Sequence, residues 1–201
     1  MKLFKFFKRE EKGSNKIYTD VIEQFVKIAS VEVSDKLQEL FNQPIVLENI
    51  SKVAISISEL PLLIGDVEDT AISVIFNIEN ELKGKIAFLI SKKSALSLYN
   101  LLTQKNIESI EDSPGNLNND VSSCIESVAS IFSMSFVSAI SNLIQKPIFT
   151  SIPVISYSFR DSVINEIIFE QINSENTLEI FISKFMIEGI DGFFLYIPEV
   201  K

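Results

Sequence analysis

Leu37-Gln38-Glu39-Leu40-Phe41-Asn42-Gln43-Pro44-Ile45 and Ile140-Ser141-Asn142-Leu143-Ile144-Gln145-Lys146-Pro147-Ile148 are two versions of one phrase: the end of an apolar helix, a proline stop and an isoleucine. Upstream of the first, Ile17 to Asn42 contains neither glycine nor proline, and Val21, Ile22, Phe25, Ala29, Val33 and Leu37 recur at helical period. Upstream of the second, Leu117 to Gln145 reads as a helix in the same way. Laying Pro44 on Pro147 also places Glu23 on Glu126. After each proline the pattern changes to strands. Val53–Ile57, Ala71–Ile78 and Lys85–Ile90 follow the first, with turns at Pro61, Gly65-Asp66 and Asn80–Gly84. Ile152–Phe159, Ile164–Gln171, Leu178–Lys184 and Gly192–Pro198 follow the second, the last after a Gly189–Gly192 turn. Ser94–Gln104 reads as a short helix and Glu111–Asn116 as the clearest loop. The strand after Gly84 resembles the strand after Gly192. These observations predict an α+β fold in which a long helix followed by antiparallel strands occurs twice, with pseudo-twofold symmetry.

Composition narrows the chemistry. The 201 residues are 46% hydrophobic and 22% charged, enough apolar surface for one globular core. A run such as Ile86-Ala87-Phe88-Leu89-Ile90 is strand-length, far short of the roughly 20 residues of a membrane helix. The net charge of −9 opposes binding to phosphate backbones, so nucleic acid is not expected as a partner. One cysteine, Cys124, cannot make an internal disulfide and suits a reducing cytoplasm. There is no histidine, which excludes Ser-His-Asp and Cys-His nucleophiles, His-ligated zinc and imidazole acid–base catalysis. The six glycines are too scattered for a phosphate-cradling loop. Asp66, Glu68 and Asp69 form an acidic turn that is either a weak cation site or, as such clusters more often are, an ordinary solvated loop. Neither a metal nor a cofactor is expected. Cys124 reads as a small core residue, and most of the 16 phenylalanines as core packing.

The chain divides into a tail, residues 1–16, and one domain, residues 17–201, the latter as halves 17–110 and 117–201 joined by a linker at 111–116. The tail sets Lys2, Lys5, Lys8, Arg9, Lys12 and Lys16 against Glu10 and Glu11, with Phe4, Phe6 and Phe7 between them. It is either a short anchor making weak contact with an anionic membrane or acidic partner, or a solubilising tail. Gly13-Ser14-Asn15 reads as its hinge. Lys5 interrupts the apolar run and no small-residue cleavage site follows, so a secretory signal is not expected.

The order of these segments resembles the CheC/CheX/FliY group of chemotaxis phosphatases. The likeness is carried by Ser58-Glu59-Leu60-Pro61-Leu62-Leu63-Ile64-Gly65-Asp66, by the strand-then-helix passage from Leu82 to Leu98, and by the closing hairpin Phe185–Pro198. It spans roughly residues 17–200. The resemblance implies an active helix face on which a Ser or Asp is followed after four residues by Glu and after three more by Asn. In that family the Glu fastens onto the phosphorylated response regulator CheY, and the Asn orients the water that attacks its aspartyl phosphate. Residues three apart share a helix face, and hydrolysis of an acyl phosphate chiefly requires a placed water. Any magnesium belongs to the partner receiver.

Only part of the motif is present. Ser122 and Glu126 keep the four-residue spacing, but the Asn position is Ala129; in the first helix Thr19 precedes Glu23, and Val26 takes the Asn position. Counting back from Pro153 shifts the register by one residue, to Ser127 and Ser130, and loses the Glu. The reading is therefore a CheC-like signalling protein that binds a response-regulator receiver or another chemotaxis protein, with weak or absent phosphatase activity. Partner contacts are assigned to Glu23, Glu126, Ser122 and Ser127. The alternative is an active phosphatase on phospho-CheY, with Glu126 and Ser130 placing the water. The resemblance also brings in the deamidase CheD and flagellar switch components as partners, and leaves a homodimer open. Glu23 and Glu126 are either twin docking carboxylates or solvated helix residues. The serines crowding the second helix, from Ser122 to Ser141, either allow close approach of a partner or of the twin helix, or reflect drift on an exposed face.

Overall fold

Helix α1 (Ser14–Phe41) opens the fold and is followed by strands β1 (Ile45–Leu47), β2 (Ser51–Ser56), β3 (Thr70–Asn80) and β4 (Gly84–Ser91), then helix α2 (Lys92–Thr103). A small hairpin, β5 (Glu111–Ser113) and β6 (Asn116–Leu117), leads into helix α3 (Asn119–Ile144), strands β7 (Ile148–Thr150) and β8 (Val154–Phe159), helix α4 (Arg160–Ile168) and strands β9 (Thr177–Ile187) and β10 (Ile190–Pro198). This computed structural model describes residues 14–41, 45–48, 50–56, 59–60, 70–80, 82–113, 115–168 and 177–199. The basic stretch before Ser14, the Pro61 and Gly65-Asp66 turns and the acidic Asp66, Glu68 and Asp69 lie outside those residues.

The main sheet is antiparallel and runs β1-β9-β10-β4-β3-β7, with β2 also on β9 and β8 also on β3. The strands that follow α1 thus pair with a hairpin late in the chain, and those that follow α3 pair with an early one. The two central strands meet in a symmetric register, Gly192 opposite Ile90 and Pro198 opposite Gly84. Ile86 to Ile90 of β4 are buried on both sides, which is why this strand reads as an unbroken apolar run. Ile86, Phe88 and Ile90 face a core shared with α1, α2 and α3, whereas Ala87 and Leu89 face a second core under α4. In the first core Phe88 stacks on Phe185 at 4.9 Å between centroids, and Phe132 of α3 lies 5.3 Å from each. Phe136, one turn on, meets Phe194 edge-on at 5.2 Å. These rings fix the roll of α3 on the sheet and so decide which of its residues reach solvent.

Three sequence expectations are corrected. The segment expected as a strand at Ile164–Gln171 begins inside helix α4 (Arg160–Ile168). Val163, Ile164, Ile167 and Ile168 are the buried stripe of a two-turn helix, too short for its period to outweigh its β-branched content. The expected loop at Glu111–Asn116 contains the β5–β6 pairing. The expected hinge at Ser14-Asn15 is already the first turn of α1. Helix α3 also has the length and composition to cross a bilayer, with mean hydropathy 1.6 over its best window. Half of that window is buried, and the helix serves as a wall of the core.

The β5–β6 hairpin is pinned electrostatically. Lys92 Nζ donates to Glu111 Oε2 at 2.8 Å, and Tyr157 Oη donates to the other carboxylate oxygen. Lys92 first, then Tyr157, holds Glu111 below the usual carboxylate range, while burial followed by Glu111 pushes Tyr157 up. A carboxylate lowered in the native state contributes stability above its unfolded value of about 4.3, and loses it as pH falls through the lower native value. Glu111→Gln is therefore expected to be less stable than wild type at neutral pH and to converge with it on acidification below about pH 4. Urea titrations across that range test this; a gap that stays constant with pH would reject it.

Candidate functional site

The roll of α3 sorts the candidate residues. Its N-terminus is fixed by Asn118, whose side-chain oxygen accepts from the Asp120 and Val121 amides, with Asp120 favourably placed against the helix dipole. From there Val121, Ile125, Val128, Ala129, Phe132 and Phe136 turn inward. Ser123 and Ser127 are exposed, and Ser122, Glu126 and Ser130 are half-buried. Glu126, Ser130 and Met134 follow one another at successive turns, and Met134 keeps 65% of its surface in water. On α1 the matched residues are Glu23, Lys27 and Val31, with Val31 61% exposed. Each long helix therefore carries a glutamate followed two turns later by an exposed apolar side chain. The sequence motifs do not point to Val31 or Met134, although the Pro44–Pro147 correspondence overlays them.

The two glutamates differ in their surroundings. Lys27 Nζ lies 2.7 Å from Glu23 Oε1, and that hydrogen bond is the leading cause holding Glu23 below the usual range. The residue matched to Lys27 is Ser130, and Glu126 has no ion-pair partner among the described residues. Among the described residues Glu126 thus lacks the cationic neighbour that Glu23 has in Lys27.

The positions matched to the water-orienting Asn are interior. Val26 and Ala129 are both 0% exposed, so neither offers a polar atom to a ligand at the surface. The register shifted by one residue is the surface one. Ser127 Oγ donates to the Ser123 carbonyl at 2.7 Å, and Ser130 lies on the Glu126 side of the helix. A serine can hold water by one hydroxyl but lacks the separate donor and acceptor of a carboxamide.

Beside this face an open groove of about 340 Å³ runs between the end of α2 and the start of α3, lined by Tyr99, Thr103, Lys105, Asp120, Ser123, Cys124 and Ser127. Lys105 Nζ donates to Tyr99 Oη at 3.1 Å and lies 3.6 Å from Asp120 Oδ2. Cys124, expected as a core residue, packs half-buried against the first core and also lines the groove, and burial pushes its thiol up, away from the reactive thiolate. The serines have several roles: Ser133 and Ser135 are interior, Ser141 Oγ donates to the Lys146 carbonyl at 2.6 Å past the helix end, and Ser123, Ser127 and Ser138 face solvent. Among the described residues no group of His, Cys, Asp and Glu could hold a metal. The arrangement sets one glutamate without an ion-pair partner among the described residues, and an exposed methionine, on one face of α3.

No protein-family model matches the sequence, and no curated protein does. Solved structures match over nearly the whole chain. FliY of Thermotoga maritima aligns with TM-score 0.65 at 16% identity, over 89% of this chain and 88% of that one. The chemotaxis protein CheX of Desulfovibrio desulfuricans aligns with TM-score 0.58 at 10% identity, over 88% and 99%. The FliM middle domain of Vibrio alginolyticus aligns with TM-score 0.56 at 12% identity, over 87% and 93%. The chain has the CheC-like fold that these chemotaxis and flagellar proteins share.

Proposed function

We propose that this protein is a chemotaxis-type binding module that docks a phosphorylated CheY-type receiver on the exposed faces of α1 and α3, with weak or absent phosphatase activity. The observation that carries this reading is the pairing, on each helix, of a glutamate with an exposed apolar residue two turns later. A free carboxylate supplies direction and an apolar anchor supplies affinity, the usual division of labour at the centre of an interface. Glu126 and Met134 form the stronger of the two faces because Glu23 is already paired to Lys27. Magnesium, if used, comes with the receiver. The fold likeness to FliY and FliM supports a chemotaxis or flagellar-switch setting, in the cytoplasm, and keeps switch components and CheD as alternative partners.

The test is binding of the organism's own receiver, activated with beryllofluoride, to the full chain. Met134→Lys is expected to weaken affinity at least about tenfold, Glu126→Ala by a similar factor, and Glu23→Ala less than either. Unchanged affinity in Met134→Lys and Glu126→Ala would remove the docking assignment. Loss of phosphoryl groups from phospho-receiver, timed with and without the protein, separates the module from an active phosphatase that uses Glu126 and Ser130.

A further inference from the structure

The basic stretch that precedes α1 plays no part in the docking proposed above. Lys2, Lys5, Lys8, Arg9, Lys12 and Lys16 stand there against Glu10 and Glu11, a local charge of +4 in a chain of −9, so residues 17–201 carry −13. The spacing of this stretch is helical. Wound at about 3.6 residues per turn, all six basic side chains fall within an arc of about 120°, and Leu3, Phe4, Phe6 and Phe7 fill the opposite side. Glu10 and Glu11 fall on the apolar side but after the last of the rings, and so bound the apolar strip at Phe7.

Nowhere else does the sequence gather six basic residues into sixteen. The folded domain has already used much of its positive charge. Lys27, Lys52, Lys92, Lys105 and Lys184 are ion-paired to Glu23, Glu179, Glu111, Asp120 and Asp191, and Lys85 and Arg160 are buried. Helix α1, which is helical from Ser14, carries Glu32, Asp35 and Glu39 against Lys36 over its last three turns. Attraction to a negatively charged surface therefore rests with the stretch before α1, and the domain behind it opposes such an approach.

We propose that residues 2–9 bind the interface of an anionic lipid bilayer as a short amphipathic helix lying in its plane, tethering the acidic domain beside the membrane. Both halves of the pattern select this partner. A polyanion or an acidic protein surface would satisfy the basic arc and leave Leu3, Phe4, Phe6 and Phe7 uncovered on the far side. A bilayer surface offers negative headgroups to the lysines and arginine and hydrocarbon to the rings within one helix diameter. Nucleic acid is further opposed by the −13 of the adjoining domain. The segment is far shorter than the roughly 20 residues needed to span a bilayer, so it lies on the surface. A single short helix is one membrane signal, which makes the attachment reversible. The α1 and α3 faces stay open, and the proposal does not depend on what docks there.

The test is co-sedimentation of the full chain with vesicles of phosphatidylcholine alone and of phosphatidylcholine mixed equally with phosphatidylglycerol. Wild type is expected to bind the anionic vesicles at least about a hundredfold more tightly, and to lose that preference when the four changes Lys2→Gln, Lys5→Gln, Lys8→Gln and Arg9→Gln are combined. Phe6→Ser with Phe7→Ser leaves the charge intact and is expected to weaken binding at least about tenfold. Thermal midpoints of these variants are expected to match wild type, which separates membrane binding from folding. The chain has no tryptophan, so Phe7→Trp reports on this segment alone, and its emission is expected to move to the blue with anionic vesicles only. A wild type that ignores anionic vesicles, or binds neutral ones equally, would overturn the proposal. So would binding that survives the four Gln changes, a bound Phe7→Trp protein with unshifted emission, or tighter binding to a single-stranded oligonucleotide than to anionic vesicles at the same salt.

Discussion

Ala129→Asn is expected to lower the unfolding free energy by about 3 kcal/mol and to leave the rate of receiver dephosphorylation where wild type has it. In the motif register carried over from the family, this substitution restores the missing Asn. The fold gives position 129 another role. Its side chain is 0% exposed on the inner face of α3, in the same first core as Val128 and Phe132. A carboxamide there is larger than a methyl by three heavy atoms, and overpacking alone costs about 1–3 kcal/mol. Its donors and acceptor would also be buried without partners, at about 1–3 kcal/mol from protein mutational data. Thermal or urea unfolding measures the loss. Ser130→Asn is the informative companion: it places the same carboxamide at the helix surface, one turn from Glu126, at little cost to folding. If Ala129→Asn were stable and sped dephosphorylation, the inward placement of position 129 would be wrong.

The same distinction between inside and outside explains what can be read from the sequence. Long helices, their proline stops and most strands are legible because each has a periodicity and a terminator: Val33 and Leu37 before Pro44, Ile140 and Ile144 before Pro147. The central strand Ile86–Ile90 is legible because burial on two faces leaves only apolar residues. Helix α4 is not, because two turns of Val and Ile look like a strand until one knows that a second core waits beneath them. Glu126 is visible through its match with Glu23. That Glu23 has a lysine partner and Glu126 has none among the described residues depends on one residue, Lys27 against Ser130, whose meaning appears only once both helices are placed. The rotation of α3, set by Phe132 and Phe136 against Phe88, Phe185 and Phe194, decides that Ala129 is interior and Met134 exterior. A register counted along one helix cannot supply that rotation, because it is fixed by rings brought in from β4, β9 and β10.

Gly84→Ala and Gly192→Ala are expected to be the most destabilising single-methyl changes in the sheet, each by about 3–5 kcal/mol. The two glycines sit at opposite ends of the central β4–β10 pair and meet the same kind of obstacle. A Cβ on Gly84 would collide with the Ile197 carbonyl oxygen and stand 3.0 Å from the Pro198 Cα. One on Gly192 would stand 2.7 Å from the Leu89 carbonyl oxygen and run into the Phe185 ring. Backbone carbonyls of a central strand cannot step aside without breaking ladder hydrogen bonds on both of its edges. Gly84 adds a φ of +146°, which a residue with a side chain rarely adopts and which costs about 1–3 kcal/mol by itself. At Gly192 the obstacle includes the Phe185 ring, stacked on Phe88 and packed against Phe132, so a shift there would propagate into the cluster that sets the roll of α3. The two variants should therefore differ in their functional consequence. Gly84→Ala is expected to lower stability while the folded fraction keeps its receiver affinity. Gly192→Ala is expected to lower stability and also weaken the docking proposed at Glu126 and Met134, since the helix that presents them would turn. Urea unfolding paired with receiver titration separates the two, and equal loss of affinity in both would show that the ring cluster does not control the docking face.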